Sequence, residues 1–256
     1  MLLTFKERAD LSHSSFSKAL FSLMENKQSN LALSADVLNT QELLQLADTL
    51  GPEIAILKTH IDILRDFSHD FIKELQQLAE KHQFFLFEDR KFADIGQTVK
   101  SQYSEGIYRI SDWAHLTNAH ALPGHKQIAS LAEIGVPKGR GLLLIAEMSA
   151  EGHLLTKSYQ EQTVEIAKQY PQFVSGFITQ HKLSDQHPEW INLAPGIHVT
   201  AKKDMRGQQY VTPEHAILQQ GIDIIIVGRG ITAEKEPVAA SRLYREAGWS
   251  AYKKRV

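Results

Sequence analysis

Eight apolar runs that recur along the chain predict an α/β fold, a (β/α)8 TIM barrel with an extra N-terminal helix. Most of the runs are continuously apolar rather than alternating, which is typical of parallel strands buried on both faces. Stretches with helical periodicity separate most of them, and 256 residues is an ordinary length for such a barrel. A doubly wound open sheet would more often show about five or six strands. The runs are LALSADV (31–37), IAILKTH (54–60), FFLFEDR (84–90), WAHLTNAH (113–120), GLLLIAEM (141–148), FVSGFITQ (173–180), WINLAPGI (190–197) and DIIIVGRG (223–230).

The stretches between the runs carry the signals of helix starts and stops. TQELLQLADTLG places its leucines on one side and ends at Gly51, and the pattern from 66 to 82 is also helical. The segment 212–221 has Thr at the cap, Pro at the first helical position and Gly after the end. HKLSDQHPE, after the sixth run, is too short for a full helix. FSKALFSLMENKQ predicts one helix before the first strand, and EKEPVAASRLYREAGWSAYKKRV predicts a closing helix.

Composition narrows the class of protein. The chain has no low-complexity tract, repeat or linker, so residues 1–256 are expected to form a single domain. A net charge of −2 offers no electrostatic basis for binding nucleic acid or an anionic membrane, and the longest apolar runs are far short of a bilayer span. Zero cysteines exclude disulfides, a thiolate nucleophile and Cys-ligated metals. The N-terminus lacks the pattern of a signal peptide, so a cytoplasmic protein is expected.

Polar or charged residues end nearly every apolar run. In a (β/α)8 barrel the active site lies at the carboxyl ends of the strands, and polar groups that interrupt apolar runs are costly unless they are paired or used. Lys58 alone could snorkel to solvent, and Asp36 alone could cap a turn. The whole set, at one end of the strands, predicts an active site there. Its members are Asp36, Lys58, His60, Asp89, Lys91, Asn118, His120, Glu147, Ser149, Gln180, Pro195, Gly228 and Arg229.

The third run continues into FEDRKFADIGQTV (87–99), the most highly charged stretch of this kind. Asp89 and Lys91 are two residues apart and therefore project to the same side if the strand continues. A surface ion pair is the alternative for these two residues, but both follow directly from a buried strand. Asp94 with Gln97 resembles a capping box, which is an alternative to a chemical role for Asp94. Glu88 and Arg90 alternate with the others and are expected to support the scaffold.

The eighth run ends in Gly-Arg-Gly at 228–230. Glycine backbone N–H groups and a guanidinium together suit a phosphate, and the loops after the last two strands are a common phosphate site in these barrels. A tight turn is the alternative for this tripeptide on its own. The loop 198–211 before it has the length of a segment that closes over a ligand. The histidines show no familiar ligand spacing, so no metal site is predicted.

Seven pieces of the sequence, spread from about residue 30 to 252, together resemble one family. They are LSADV, LKTHIDIL, FEDRKFADIG with its D-x-K-x-x-D signature, LIAEMS, LAPGI, GQQY and IIIVGRGI. The chain resembles orotidine 5′-monophosphate decarboxylases, most closely the eukaryotic-type branch. The resemblance implies cofactor-independent decarboxylation of orotidine 5′-monophosphate to uridine 5′-monophosphate, the last step of de novo pyrimidine synthesis.

The resemblance also implies roles for individual residues. Catalysis would rest on a charged network of Lys58, Asp89, Lys91 and Asp94, with Lys91 as the proton donor. Asp94 and Thr98 would reach the site of a neighbouring subunit, so a homodimer is expected. Asp36 would bind the ribose with Lys58, and Ser149 would read the pyrimidine edge. The phosphate would be held by Gln208, Tyr210, Gly228 and Arg229, and the remaining substrate contacts would come from His60, Ile95 and Pro195.

Two other functions stay open at the level of sequence. One is a magnesium-dependent 3-keto-6-phosphogulonate decarboxylase, which shares the D-x-K-x-x-D signature; Lys58-Thr59-His60, Ser149 and GQQY favour the nucleotide enzyme. The other is a catalytically inactive barrel that serves as a binding module, which the intact charged residues argue against. Close relatives often have EMSS where this chain has Ala150 after Ser149, so a change in loop packing at most is expected.

Overall fold

All eight predicted strands are present and close into one parallel barrel in the computed structural model, which describes residues 2–199 and 210–256. Each strand pairs with the next in chain order, and β8 pairs with β1. Most of the strands are shorter than the apolar runs that predicted them. They are β1 Leu31–Ser34, β2 Ile56–Thr59, β3 Phe85–Phe92, β4 Leu116–His120, β5 Gly141–Ile145, β6 Val174–Ile178, β7 Ile191–Ala194 and β8 Ile224–Val227.

Helices surround the barrel in the order that the periodicity predicts. No helix lies in residues 179–190, all of them described, which confirms that the unit after β6 is incomplete. The α-helices are α1 Phe5–Leu11, α2 Ser15–Lys27, α3 Thr40–Leu50, α4 His69–His82, α5 Gly96–Ser104, α6 Ile110–Trp113, α7 His125–Gly135, α8 Lys157–Lys168, α9 Pro213–Leu218, α10 Arg229–Thr232 and α11 Pro237–Arg255, with 3-10 turns at Gly51–Glu53, Ile61–Ile63 and Val136–Lys138. Within the described part of the chain, no helix is long and apolar enough to cross a membrane.

The predicted N-terminal helix is present as α2, and a further helix that the sequence did not predict, α1, precedes it. Ser12 extends the backbone after α1, and the Ser14 side chain accepts a hydrogen bond from the Ser17 backbone N–H to start α2. A serine at this position satisfies one of the otherwise unpaired N–H groups at a helix start. Ser12 therefore ends α1, and Ser14 begins α2.

The two N-terminal helices help to decide which end of the barrel is open. One buried cluster joins inward-facing strand residues such as Ile56 and Phe87 to Phe5, Phe21 and Met24 of α1 and α2. A second, larger cluster packs the outward strand faces against the surrounding helices. The N-terminal end is therefore covered by apolar side chains, and polar chemistry is left to the carboxyl ends of the strands.

Strand β3 is the longest and carries a local irregularity at its carboxyl end. Its pairing with β4 joins Glu88 to Thr117 and then Phe92 to Ala119, with a register shift between them. Residues 89–91 of β3 thus stand opposite the single residue Asn118. Such bulges re-aim side chains and are common beside active sites.

Candidate active site

A cavity of about 310 Å³ opens at the carboxyl ends of the strands. That volume is at the lower end of the range for small-molecule sites. Its wall contains ten of the fourteen predicted site residues. They are Asp36, Lys58, His60, Asp89, Lys91, Ser149, Pro195, Tyr210, Gly228 and Arg229.

Four of these residues form a row of alternating charge along one wall. The Lys58 Nζ lies 3.3 Å from Asp36 Oδ1 and 3.1 Å from Asp89 Oδ2. The Lys91 Nζ lies 2.7 Å from Asp89 Oδ1. Lys58 is almost fully buried, whereas Lys91 keeps 36% of its side chain exposed to the cavity and solvent. Lys91 is therefore the more exposed of the two ammonium groups in the row.

Asp89 is the centre of this arrangement. Burial by itself would raise its pKa, but the Lys58 ammonium, a hydrogen bond from His60 and the Lys91 ammonium together hold the pKa well below its ordinary value. The His60 Nε2 lies 3.2 Å from Asp89 Oδ2. Asp89 is therefore a carboxylate at neutral pH, and it binds a cation at each of its two oxygens.

Lys91 has an unusual backbone conformation, with φ at +52°. A left-handed conformation is uncommon for residues other than glycine and costs on the order of 1 kcal/mol or more. It places the residue at the end of the β3 bulge. The strained backbone belongs to the same residue as the exposed ammonium, which indicates that the surrounding structure holds this geometry in place.

Glu88, the neighbour of Asp89, faces away from the cavity into the barrel wall. It is fully buried and accepts hydrogen bonds from Thr59 Oγ1 at 2.7 Å and from the Ile61 backbone N–H at 3.0 Å. Burial raises the pKa of Glu88 to about 8, although the Thr59 and Ile61 hydrogen bonds act in the opposite direction. Glu88 thus ties β3 to the segment after β2 that carries His60, as a scaffold residue.

The part of the cavity wall at the end of β8 offers groups for an anion. Gly228 is the N-cap of the short helix α10, and the exposed residue Arg229 is the first residue of that helix. The Arg229 Nη2 donates to the Tyr210 hydroxyl at 3.0 Å. Gln208 was predicted for the same site and lies outside the described residues. The geometry thus gathers Tyr210, Gly228 and Arg229 at one place.

Apolar side chains line the space between the two polar walls. Ile145, Ile178 and Ile226 from β5, β6 and β8 face the cavity, and Met148 and Pro195 flank them. An apolar floor of this kind accommodates the face of a flat ring and lowers the local dielectric. Among the described residues, no group of three His, Cys, Asp or Glu side chains could hold a metal ion.

Three predicted site residues lie outside the cavity wall of this chain. Asp94, Ile95 and Thr98 sit at the start of α5, where Ile95 is 63% exposed and Thr98 is also exposed. Asp94 forms no capping box, because α5 starts at Gly96 and its N-cap is Ile95. The Asp94 carboxylate instead accepts from the Ile95 backbone N–H at 2.8 Å and from Gln102 Nε2 at 3.2 Å. The capping alternative is therefore wrong.

Two further residues in the wall have contacts that the sequence did not predict. Asn118 is 1% exposed and bonds both Asp89 and Lys91, and Glu147 accepts from Thr179 Oγ1 and the Gln180 backbone N–H, both at 2.7 Å. Both were visible in the sequence as polar ends of apolar runs. Their hydrogen-bond partners depend on the strand register, which the sequence pattern does not give.

Comparisons with known proteins identify the family of the chain. A family model described as "Orotidine 5'-phosphate decarboxylase / HUMPS family" matches residues 29–244. The chain is 51% identical over 255 residues to an orotidine 5′-phosphate decarboxylase of Rhizomucor pusillus, covering 99% of this chain and 97% of the relative. It is 50% identical over 256 residues to a uridine 5′-monophosphate synthase of Bos taurus, covering 99% of this chain and 53% of that protein.

A solved structure supports the fold independently. Orotidine 5′-monophosphate decarboxylase of Methanocaldococcus jannaschii, complexed with the inhibitor BMP, aligns over 86% of this chain and 98% of its own with a TM-score of 0.68. At 18% sequence identity this likeness bears on the fold alone. The family model and the full-length similarity to the Rhizomucor protein carry the assignment, and this chain belongs to the orotidine 5′-phosphate decarboxylase / HUMPS family.

Proposed function

We propose that the protein decarboxylates orotidine 5′-monophosphate to uridine 5′-monophosphate without a metal or organic cofactor, and that Lys91 protonates C6 of the ring. One observation carries the proposal: the Lys91 ammonium lies 2.7 Å from the buried Asp89 carboxylate, in the wall of a cavity that holds Arg229 on another side. A fixed ammonium in a cavity with an apolar floor can stabilise a carbanion and then supply its proton.

The proposed reaction breaks the bond between C6 and the carboxyl carbon, and the electron pair stays on C6 while CO2 leaves. No adjacent π system delocalises that pair, because it lies in the plane of the ring. The Lys91 ammonium stabilises the developing charge and transfers a proton from Nζ to C6. The neutral amine then regains a proton from solvent. Asp89 contributes by holding the ammonium in place and keeping it charged.

Binding groups distant from C6 supply the energy that holds the substrate. Arg229, the backbone at Gly228, Tyr210 and Gln208 would bind the phosphate, and Asp36 with Lys58 would bind the ribose. Ser149 would read the edge of the pyrimidine, with His60 and Pro195 beside the ligand. Binding energy from a remote phosphate can be used to raise the rate at the reacting centre. A sugar phosphate without a pyrimidine would offer no ring edge for Ser149 to read.

Turnover in the presence of a chelator tests the reaction and its independence of metal. The wild-type protein, incubated with excess chelator, should consume orotidine 5′-monophosphate at the same rate as without chelator. The reaction is followed by the loss of absorbance of the orotate ring. Loss of activity that Mg²⁺ restores would favour the magnesium-dependent sugar-phosphate decarboxylase. Absence of turnover under all conditions would favour the inactive binding module.

We also propose that the active protein is a homodimer whose two sites are shared. Asp94, Ile95 and Thr98 lie outside the cavity of their own chain, on an exposed helix start from which they can reach a neighbour. Asp94→Ala and Lys91→Ala subunits, each inactive alone, should recover activity when mixed. The mixed dimer then contains one intact and one doubly altered site, so random exchange should restore about a quarter of wild-type activity. No recovery in exchanged dimers would contradict a shared site.

A further inference from the structure

Asn118 occupies the one position of β4 that faces the β3 bulge. Its side chain is 1% exposed and lies between Thr117 and Ala119, which pair with Glu88 and Phe92 of β3. Three residues of β3 therefore oppose it, and the regular backbone ladder is interrupted there. A buried carboxamide at such a place has to find partners for both its donor and its acceptor.

The carboxamide finds both partners within the charged row. Its Oδ1 accepts the Lys91 backbone N–H at 2.7 Å, and its Nδ2 donates to Asp89 Oδ1 at 2.7 Å. The first bond takes the place of a ladder hydrogen bond at the residue with φ of +52°. The second bond leaves Asp89 Oδ1 shared between Asn118 and Lys91, and Asp89 Oδ2 between Lys58 and His60.

We propose that Asn118 is a positioning residue for the reaction, which sets the backbone of Lys91 and the orientation of the Asp89 carboxylate at the same time. The inference rests on the proposed function, since it concerns the same ammonium. Asn118 acts through Lys91 and Asp89: its acceptor stabilises the left-handed backbone of Lys91, and its donor keeps the Asp89 carboxylate turned so that one oxygen remains for each lysine. Neither bond is provided by any other described side chain.

Two substitutions distinguish the role of the carboxamide oxygen from the role of its amide group. Asn118→Ala removes both bonds. Asn118→Asp keeps an oxygen for the Lys91 N–H, but its second oxygen faces Asp89 Oδ1 and can donate only when a proton is bound. Two carboxyl groups at this distance share a proton, because both cannot be charged together without a large cost. The protonated form of Asn118→Asp therefore mimics the natural residue, and the deprotonated form does not.

The charged groups around position 118 determine the pH at which the Asn118→Asp variant releases the shared proton. Leu143 of β5 pairs with Asn118 on the side away from β3 and is apolar. The titratable and charged groups lie on the β3 side, on the neighbouring strands and at the end of β4 itself; they are Asp89, Lys91, Lys58, His60, His120 and Glu147. The lysines favour loss of the shared proton, and Asp89 opposes it.

The experiment compares kcat and KM for orotidine 5′-monophosphate in the wild type and the two variants, from about pH 5 to about pH 8.5. Asn118→Ala should lower kcat about 100-fold, the effect of a displacement of about 1 Å at the reacting group, and should change KM less than about threefold. For Asn118→Asp, the ratio of kcat to that of the wild type should be highest at low pH and should fall at least about tenfold as pH rises.

Asn192→Asp is a matched control. Asn192 is also a buried strand asparagine beside a carboxylate, with Nδ2 3.4 Å from Asp223 Oδ2, but it is not part of the cavity wall. Its kcat ratio to the wild type should not change with pH. If it declines as that of Asn118→Asp does, the pH effect is a general consequence of a buried carboxyl pair and the inference is wrong.

The remaining outcomes are also decisive. A kcat for Asn118→Ala within about threefold of the wild type, or a pH-independent ratio for Asn118→Asp, would overturn the positioning role. If Asn118→Ala does not fold, the pH profile of Asn118→Asp alone still tests the positioning role. A wild type without turnover would overturn the proposed function and this inference with it. A wild type with turnover and unaffected Asn118 variants would overturn this inference alone.

Discussion

Replacement of Asp89 by Asn is expected to destabilise the protein strongly, because two cations depend on one buried carboxylate. The Lys58 Nζ is 3.1 Å from Asp89 Oδ2 and the Lys91 Nζ is 2.7 Å from Asp89 Oδ1. At an effective dielectric constant of about 20, each contact corresponds to an attraction of about 5 to 6 kcal/mol before desolvation is counted. Removal of one partner from a buried pair typically costs about 3 to 5 kcal/mol, since the other charge stays buried.

Lys58 retains Asp36 at 3.3 Å, and Lys91 is partly exposed to solvent, so both lysines keep some compensation. We therefore expect Asp89→Asn to lower the free energy of unfolding by about 3 kcal/mol, measured by urea denaturation at neutral pH. Asp70→Asn is the control, because Asp70 pairs with Lys73 at 2.8 Å on the exposed surface, where water screens the interaction. Equal small losses in the two variants would refute the view that Asp89 organises a buried charge network.

Two further predictions concern the scaffold. Burial raises the pKa of Glu88 to about 8, so the folded state holds a proton that the unfolded state releases near pH 4.5. Stability should therefore fall by a few kcal/mol as pH rises from about 4.5 to about 8, and Glu88→Gln should remove that part of the dependence in urea titrations at several pH values; an unchanged slope would contradict it. Arg8 is buried and bonds Asp223 and the Trp190 carbonyl at the end of the barrel opposite the cavity. Arg8→Ala should lower the free energy of unfolding by about 3 kcal/mol while kcat and KM stay unchanged below the melting temperature; altered kinetics in the folded variant would connect this cluster to the active site.

The barrel and the polar ends of its strands could be predicted because burial leaves a strong pattern in the sequence. Strands buried on both faces are continuously apolar, so a Lys58 or an Asp89 at the end of such a run stands out. The parallel topology then brings these ends together whatever the details of the register. Ten of the fourteen predicted site residues line one cavity for this reason.

The details that the sequence did not reveal depend on tertiary contacts or on the exact residue at which a helix begins. The left-handed backbone of Lys91 is favoured by no local signal, since lysine does not prefer that region, and the Lys91 N–H bonds the Asn118 side chain of the next strand. The break between α1 and α2 depends on which of several serines caps a helix. The expected capping box at Asp94 does not form, because α5 starts one residue too late for Asp94 to be its cap.

Turnover by Lys91→Ala is the most direct test of the account, since Lys91 is the proposed source of the proton. The variant should fold and bind uridine 5′-monophosphate, while its rate of orotidine 5′-monophosphate depletion falls at least about 1,000-fold, the combined effect of losing a general acid and an electrostatic stabiliser. Lys73→Ala, which removes an exposed lysine far from the cavity wall, should keep the wild-type rate. A Lys91→Ala rate within about tenfold of the wild type would contradict the central role given to this ammonium.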